Sequence, residues 1–272
     1  MKIGLISDIH GNPVALDATL DALASEGVDQ IACLGDIAYG PCPHQTLARV
    51  REACVTVVAG NGDTWLADPG AVEREPALRH RRLKPVRDQH VAALAWARAQ
   101  LTDDDLAYLG GLPLTAELPL NAAHTLLCFH GSPRHNYDFI LPTTSQRDID
   151  DMLGGRVASV LASGHSHQQM LRRHHDFTLV NVGSVGRAPI RFPWPVWLPD
   201  ARDLPDEETH GEYRAVAEYV VITATDDAIS IEFKQLALDA ERVLAMTADS
   251  GIPGGTGYFG ELRPLSAAVK RV

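Results

Sequence analysis

Seven residues within positions 1–167 carry metal-ligand atoms, and each stands just past an apolar run. They are Asp8, His10, Asp36, Asn61, His130, His165 and His167. Two carboxylates, four imidazoles and one amide are too many donors for a single tetrahedral ion. They suit two divalent ions of five or six coordination, completed by water. Asp36 can bridge such a pair through its two carboxylate oxygens. Two ions roughly 3.5–4 Å apart clamp the attacking and leaving oxygens of a phosphoryl displacement. Two dications against two carboxylates leave net positive charge, which favours a bridging hydroxide and an anionic substrate. Mixed oxygen and nitrogen donors without thiolate fit manganese, iron or zinc.

The elements that must position these residues follow from the apolar pattern. Residues 2–6 are a short apolar run, read as a buried strand ending at Asp8 and His10. Asn12-Pro13 then supplies a helix cap and a first-turn proline, and Gly27 ends that helix. Runs at 29–34 and 55–59 end in Gly35-Asp36 and in Gly60-Asn61-Gly62-Asp63, with a helix from Pro43 to about Ala53 between them. Strand–helix–strand–helix–strand predicts a mostly parallel sheet with crossover helices. Further strands are expected near 114–118, 124–129, 157–162, 169–174, 177–182, 215–223 and 228–235. In open α/β sheets the functional crevice lies beyond the carboxyl ends of the strands.

Between these strands, residues 64–112 read as helical, either a cap beside the site or a plain surface pair. A short helix is expected at 145–153 and a final one near 237–248. Residues 188–212 hold five prolines, Trp194 and Trp197 without periodicity, and predict a long loop. Such a loop serves as a lid, an oligomer contact or a packed surface excursion. The glycine-rich stretch 251–260 has neither the preceding strand nor the Gly-Lys-Ser/Thr of a phosphate loop. The predicted organisation is one domain over 1–236, with 237–272 as a C-terminal helix and tail packed on it.

Composition narrows the partners. The chain has 272 residues and a formal charge of −11, which disfavours long nucleic acids. It does not disfavour a small phosphorylated substrate held by metal ions. No apolar stretch reaches bilayer-spanning length, and the N-terminus enters a strand directly, so a cytoplasmic location is expected. Homo-oligomerisation stays open. Cys33, Cys42, Cys54 and Cys128 form no C-x-x-C pair, which argues against disulfides and a sulfur-bound zinc site.

Asp8-Ile9-His10, Gly35-Asp36, Gly60-Asn61-Gly62-Asp63, His130 and Gly164-His165-Ser166-His167 together resemble the signature of the calcineurin-like metallophosphoesterases. Tyr39-Gly40-Pro41, His130-Gly131-Ser132-Pro133-Arg134 and Asn181-Val182-Gly183-Ser184-Val185-Gly186 look like a bacterial and archaeal branch of small phosphoesterases. The resemblance implies a four-layer α/β/β/α sandwich of two facing mixed sheets. It also implies that Asp8, His10, His167 and Asp36 hold one metal, that Asn61, His130, His165 and Asp36 hold the other, and that Asp36 bridges. Asp36, Asn61 and His130 then rank as catalytic, with a metal-bridged hydroxide as nucleophile.

One position departs from that pattern. Many relatives carry histidine after the motif asparagine, where it is thought to bind phosphate and protonate the leaving group. Here Gly62 occupies that place. The expected substrates are therefore phosphodiesters or activated phosphomonoesters, and His135, His44 and Tyr39 are the candidate replacement donors. Arg134 and Arg187 are candidate phosphate contacts, because guanidinium pairs bidentately with phosphoryl oxygens. The competing expectations are a protein phosphatase and a catalytically weak scaffold on the same fold.

Overall fold

The computed structural model describes residues 1–74, 84–191, 212–255 and 261–263. The apolar runs form two five-stranded sheets. The first contains β1 (Lys2–Ile6), β2 (Gln30–Cys33), β3 (Thr56–Val57), β11 (Val216–Ala224) and β12 (Ile229–Ala237), in the order β12-β11-β1-β2-β3. The second contains β4 (Thr115–Pro119), β5 (Thr125–Phe129), β6 (Val160–Ser163), β7 (Met170–His174) and β8 (Phe177–Asn181), in the order β4-β5-β6-β8-β7. Both are mixed: β1, β2 and β3 pair in parallel, as do β5, β6 and β8, while β11, β12, β4 and β7 run antiparallel to their neighbours.

Side chains alternate across each strand, so one strand feeds two cores. Ile3 and Leu5 of β1 face Leu126 and Cys128 of β5, Ala162 of β6 and Val180 of β8 in the layer between the sheets. Leu127 and Phe129 point the other way, onto Ile149 and Leu153 of α7 (Gln146–Leu153). The outer face of the first sheet is covered by α1 (Pro13–Glu26), α2 (Pro43–Ala53) and α8 (Ala240–Ser250). Also on that side are α3 (Asn61–Ala67), α4 (Pro69–Arg74), α5 (Lys84–Ala99) and α6 (Asp103–Gly110). The result is the expected α/β/β/α layering.

The helix ends follow their sequence signals. Asn12 Oδ1 accepts from Ala15 N at 3.0 Å, ahead of Pro13, and Gly27 closes α1 at φ 67°. Thr102 and Asp105 form a reciprocal capping box at the start of α6. Two expectations shift. The third strand is two residues long, not five, because the backbone leaves the sheet early. Ala59 N donates to Pro113 O at 2.8 Å, outside the ladder. The strand expected from residue 157 starts at Val160, and Val157 is exposed. At the edges of the 188–212 stretch, β10 (Glu212–Arg214) pairs with both β9 (Pro189–Arg191) and β13 (Glu261–Arg263) in a small third sheet. Trp194, Trp197 and the rest of 192–211 lie outside the described residues.

Candidate metal centre

All seven predicted residues converge at one end of the two sheets. They sit on turns after β1, β2, β5 and β6 and at the first position of α3. Backbone bonds lace neighbouring turns together within each sheet. Asp8 N donates to Gly35 O at 3.0 Å, His10 N to Asp36 O at 3.0 Å, and Gly164 N to His130 O at 3.0 Å. Ser184 Oγ donates to Asp8 O at 2.8 Å, which brings in the turn after β8.

The backbone of this cluster is unusual. Asp8, His10, Asp36, His165 and His167 all lie in the left-handed region, at φ between 51° and 64°. Non-glycine residues visit this region at a cost, and aspartate and histidine are among the more tolerant. Such strain clusters at functional sites, where the surroundings over-determine it. The effect is to turn five side chains inward from turns that otherwise aim them elsewhere.

The imidazoles are held by carbonyls. His10 Nδ1 lies 3.3 Å from Tyr39 O, His130 Nδ1 2.7 Å from Leu34 O, and His167 Nδ1 3.0 Å from Arg187 O. The Tyr137 backbone also acts on His165 as a hydrogen-bond partner. A carbonyl accepts only, so Nδ1 carries the proton in the neutral rings of His10, His130 and His167 and Nε2 presents a lone pair. That is the orientation of a histidine ligand with its supporting acceptor.

Those Nε2 atoms then face acceptors instead of donors. His10 Nε2 and His167 Nε2 stand 3.0 Å apart, and His130 Nε2 stands 3.1 Å from Asn61 Oδ1. His165 Nε2 and Asp8 Oδ1 are buried without a hydrogen-bond partner. Asp8 Oδ1 lies 3.1 Å from His167 Nε2, while Asp36 Oδ2 and Oδ1 lie 3.7 Å from His10 Nε2 and 3.6 Å from His130 Nε2. Lone pairs crowded on lone pairs at these distances call for cations between them. The two oxygens of Asp36 point to different imidazoles, as a bridging carboxylate requires.

The electrostatics divide the site: burial acts to lower His130, but the Asp36 and Asp8 carboxylates outweigh it and raise it. Burial pushes the Asp36 carboxyl up to about 7, reinforced by the Asp8 and Asp63 carboxylates. Burial also acts to raise Asp8, but the His167 and His130 imidazoles outweigh it and hold Asp8 well below the usual range. His10 and His165 are pushed well down by burial, with neighbouring imidazoles adding to the effect. A neutral, lone-pair-bearing imidazole is the form that binds a metal.

Three residues position the candidate ligands: Gly60 and Asp63, which flank Asn61 in the sequence motif, and Asn136, which spacing did not single out. Buried Asp63 accepts from Asp36 N at 2.8 Å, Gly60 N at 2.9 Å and Ile37 N at 2.9 Å, locking the second and third strand ends together. Buried Asn136 donates to Gly60 O at 3.0 Å and Thr64 Oγ1 at 2.8 Å. Gly60 is obligatory, because a Cβ there would overlap Asp36 N and Oδ1.

The predicted substrate-side residues separate. His44 ties α2 to α6, with its Nδ1 2.7 Å from Asp105 Oδ2. That engagement speaks against a proton-donor role. Arg134 is exposed and bound to Asp138 Oδ2 at 2.8 Å, bracing its own loop. His135 is exposed at the loop mouth with its ring on Tyr137, 4.5 Å between centroids. Tyr39 and Arg187 belong to the site wall. The Tyr39 ring meets His10 edge-on at 6.5 Å, and its hydroxyl lies 2.6 Å from His90 Nδ1. His90, from α5, was not singled out by spacing. The Arg187 guanidinium lies over Tyr213 at 4.7 Å, and its charge reaches both His10 and His90.

Comparison with known proteins bears on the fold and the family. The chain is similar to the metallophosphoesterase of Sphaerobacter thermophilus, at 24% identity and a TM-score of 0.65, covering 95% of this chain and 97% of that one. It is also similar to the hypothetical protein PH1004 of Pyrococcus horikoshii, at 18% identity and a TM-score of 0.69, covering 96% and 98%. Both likenesses are of fold. An uncharacterized protein of Methanocaldococcus jannaschii, MJ0912, is 26% identical over 186 residues, 67% of this chain and 69% of that protein. A family model described as the calcineurin-like phosphoesterase superfamily domain matches residues 1–195, which include all seven candidate ligands. That match spans more than half of the chain, and the chain belongs to the calcineurin-like phosphoesterase superfamily.

Proposed function

We propose that this protein is a dinuclear metal-dependent phosphoesterase acting on phosphodiesters or activated phosphomonoesters. The observation that carries this reading is the set of buried Nε2 lone pairs facing acceptors, with the Nδ1 atoms of His10, His130 and His167 held by backbone carbonyls. Asp8, His10 and His167 would hold one ion and Asn61, His130 and His165 the other, with Asp36 shared. Manganese, iron and zinc all suit the donors. Two such ions supply a water-derived nucleophile at neutral pH and offset charge on the phosphoryl oxygens.

The chain's own residues do the rest. Asp63 and Asn136 fix the strand-end turns, so that Asp36 and Asn61 stay in place when an anionic substrate arrives. The Arg187 guanidinium, already close enough to depress His10 and His90, adds positive charge where a phosphoryl group would sit. Gly62 supplies no donor. A Cβ there would lie 3.1 Å from both Asp36 Oδ1 and Tyr39 Cβ, so Tyr39 fills the space beside it. Without a histidine at that position, leaving groups that need no strong protonation are favoured. α5 then acts as part of a cap, because it brings His90 onto Tyr39. The acidic chain favours a small substrate over a long nucleic acid.

The test is turnover of an aryl phosphodiester and an alkyl phosphomonoester by metal-loaded protein, beside Asp36→Asn. The diester should be cleaved and the alkyl ester barely so, with Asp36→Asn inactive on both. Protein that binds two equivalents of metal yet turns over nothing above that control would rule the enzyme reading out.

A further inference from the structure

A second group of metal-ligand atoms lies apart from the candidate centre. We propose that Asp150, His174 and His175 form a separate site for a borderline divalent ion such as zinc. Asp150 Oδ1 lies 2.8 Å from His174 Nε2 and 3.0 Å from His175 Nε2. One ligand atom from each residue falls within 4.8 Å of the others. Two imidazoles and a carboxylate, with water in the fourth position, are a donor set for zinc-class ions.

The parts come from three places in the fold. Asp150 is on α7, His174 is the last residue of β7, and His175 occupies the turn from β7 to β8. Turn and helix meet at the end of the sheet opposite the candidate centre. His174 is four residues beyond Met170, the start of β7, which puts it about 13 Å farther along at the usual strand rise. No ligand is shared between the two groups, so this proposal does not rest on the phosphoesterase reading.

Both ends of the requirement are met. His174 is buried, and its ring is confined by His175 at 4.4 Å and Phe177 at 5.5 Å between centroids. Its Nδ1 has no hydrogen-bond partner, so Asp150 is what holds the imidazole in the metal-free state. Asp150 and His175 have side chains about half exposed, at 50% and 52%, which leaves an entry path and room for water. One carboxylate oxygen already gathers both Nε2 atoms. An ion in place of the two shared protons would satisfy all three donor atoms and fasten α7 to the exposed edge strand.

The alternative is a histidine–carboxylate pair without metal affinity. Zinc content after equilibrium dialysis distinguishes the two. Asp150→Ala and His175→Ala alter half-exposed side chains and leave the candidate centre intact. Each should bind about one equivalent less zinc than the natural protein, with unchanged aryl phosphodiester turnover. Zinc should also raise the melting temperature of the natural protein more than that of either variant. Equal zinc content in all three proteins, or a loss in one variant only, overturns the site.

Discussion

Asp63→Asn isolates the contribution of a buried residue that supports the candidate ligands without being one of them. Its carboxylate is buried and accepts three backbone N–H groups, from Asp36, Gly60 and Ile37. An asparagine can place its carbonyl where Oδ2 now serves Asp36 and Gly60. Its amide nitrogen then points at the Ile37 N–H, a donor against a donor. One charge-assisted bond is lost, which costs about 1.5–3 kcal/mol, and one buried N–H is left unpaired at about 1–3 kcal/mol. Relief of the buried charge offsets part of this, since burial already raises the Asp63 pKa. A net loss of about 3 kcal/mol is expected, roughly 6–12 °C in melting temperature for a chain of this size. The same change should weaken metal binding about 10–100-fold, as loss of a supporting acceptor does elsewhere. Thermal unfolding in chelator gives the first quantity, and calorimetric titration with manganese gives the second. A variant that melts within 2 °C of the natural protein and binds manganese equally well would refute the assigned role of Asp63.

Other outcomes are equally specific. Burial, helped by Arg187, pushes His90 down to about 4 from an ordinary 6.5. A depressed folded pKa contributes stability above the unfolded value and loses it on acidification, so stability should fall as pH drops from 6.5 towards 4. His90→Gln should flatten that part of the stability curve, and an unchanged curve would contradict the assignment. Gly60→Ala should be worse than Gly62→Ala. The first Cβ would overlap Asp36 atoms, while the second meets Asp36 Oδ1 and Tyr39 Cβ at 3.1 Å and should cost about 1–3 kcal/mol; urea unfolding of both gives the order. Chelation should lower the melting temperature of the loaded protein, because ligand present at a thousandfold over Kd stabilises by about 4 kcal/mol per site. A scan unaffected by chelator would mean that the seven residues do not hold ions.

The fold and the ligand set were legible for the same reason. Apolar runs of strand length marked the buried strands, and Asp8, Asp36, His130 and His165 each follow such a run at once. Strand ends share one side of a parallel sheet, so residues distant in sequence were placed together without knowledge of any contact. The rest depends on partners that periodicity does not register. The carbonyls of Tyr39, Leu34 and Arg187 that orient the imidazoles belong to backbone, which every residue has. His90 lies in a helix whose spacing resembles any amphipathic surface helix, and it matters only because α5 lies over Tyr39. The group at Asp150, His174 and His175 joins a helix to a hairpin turn, and His174 with His175 reads in sequence as an ordinary polar turn. His44 looked like a site residue because it follows the Tyr39 loop, yet Asp105, sixty-one positions away, claims its ring.

The five inward-turned ligands carry a consequence for how this chain can change. Each left-handed aspartate or histidine sits about 1–2 kcal/mol above a relaxed backbone, and glycine at the same position would not. Glycine at His10 or His167 relieves that cost but also removes a buried imidazole and its contact with a backbone carbonyl. Backbone relief and lost packing therefore oppose each other, so the left-handed turns and the rings they carry stand or fall as one unit.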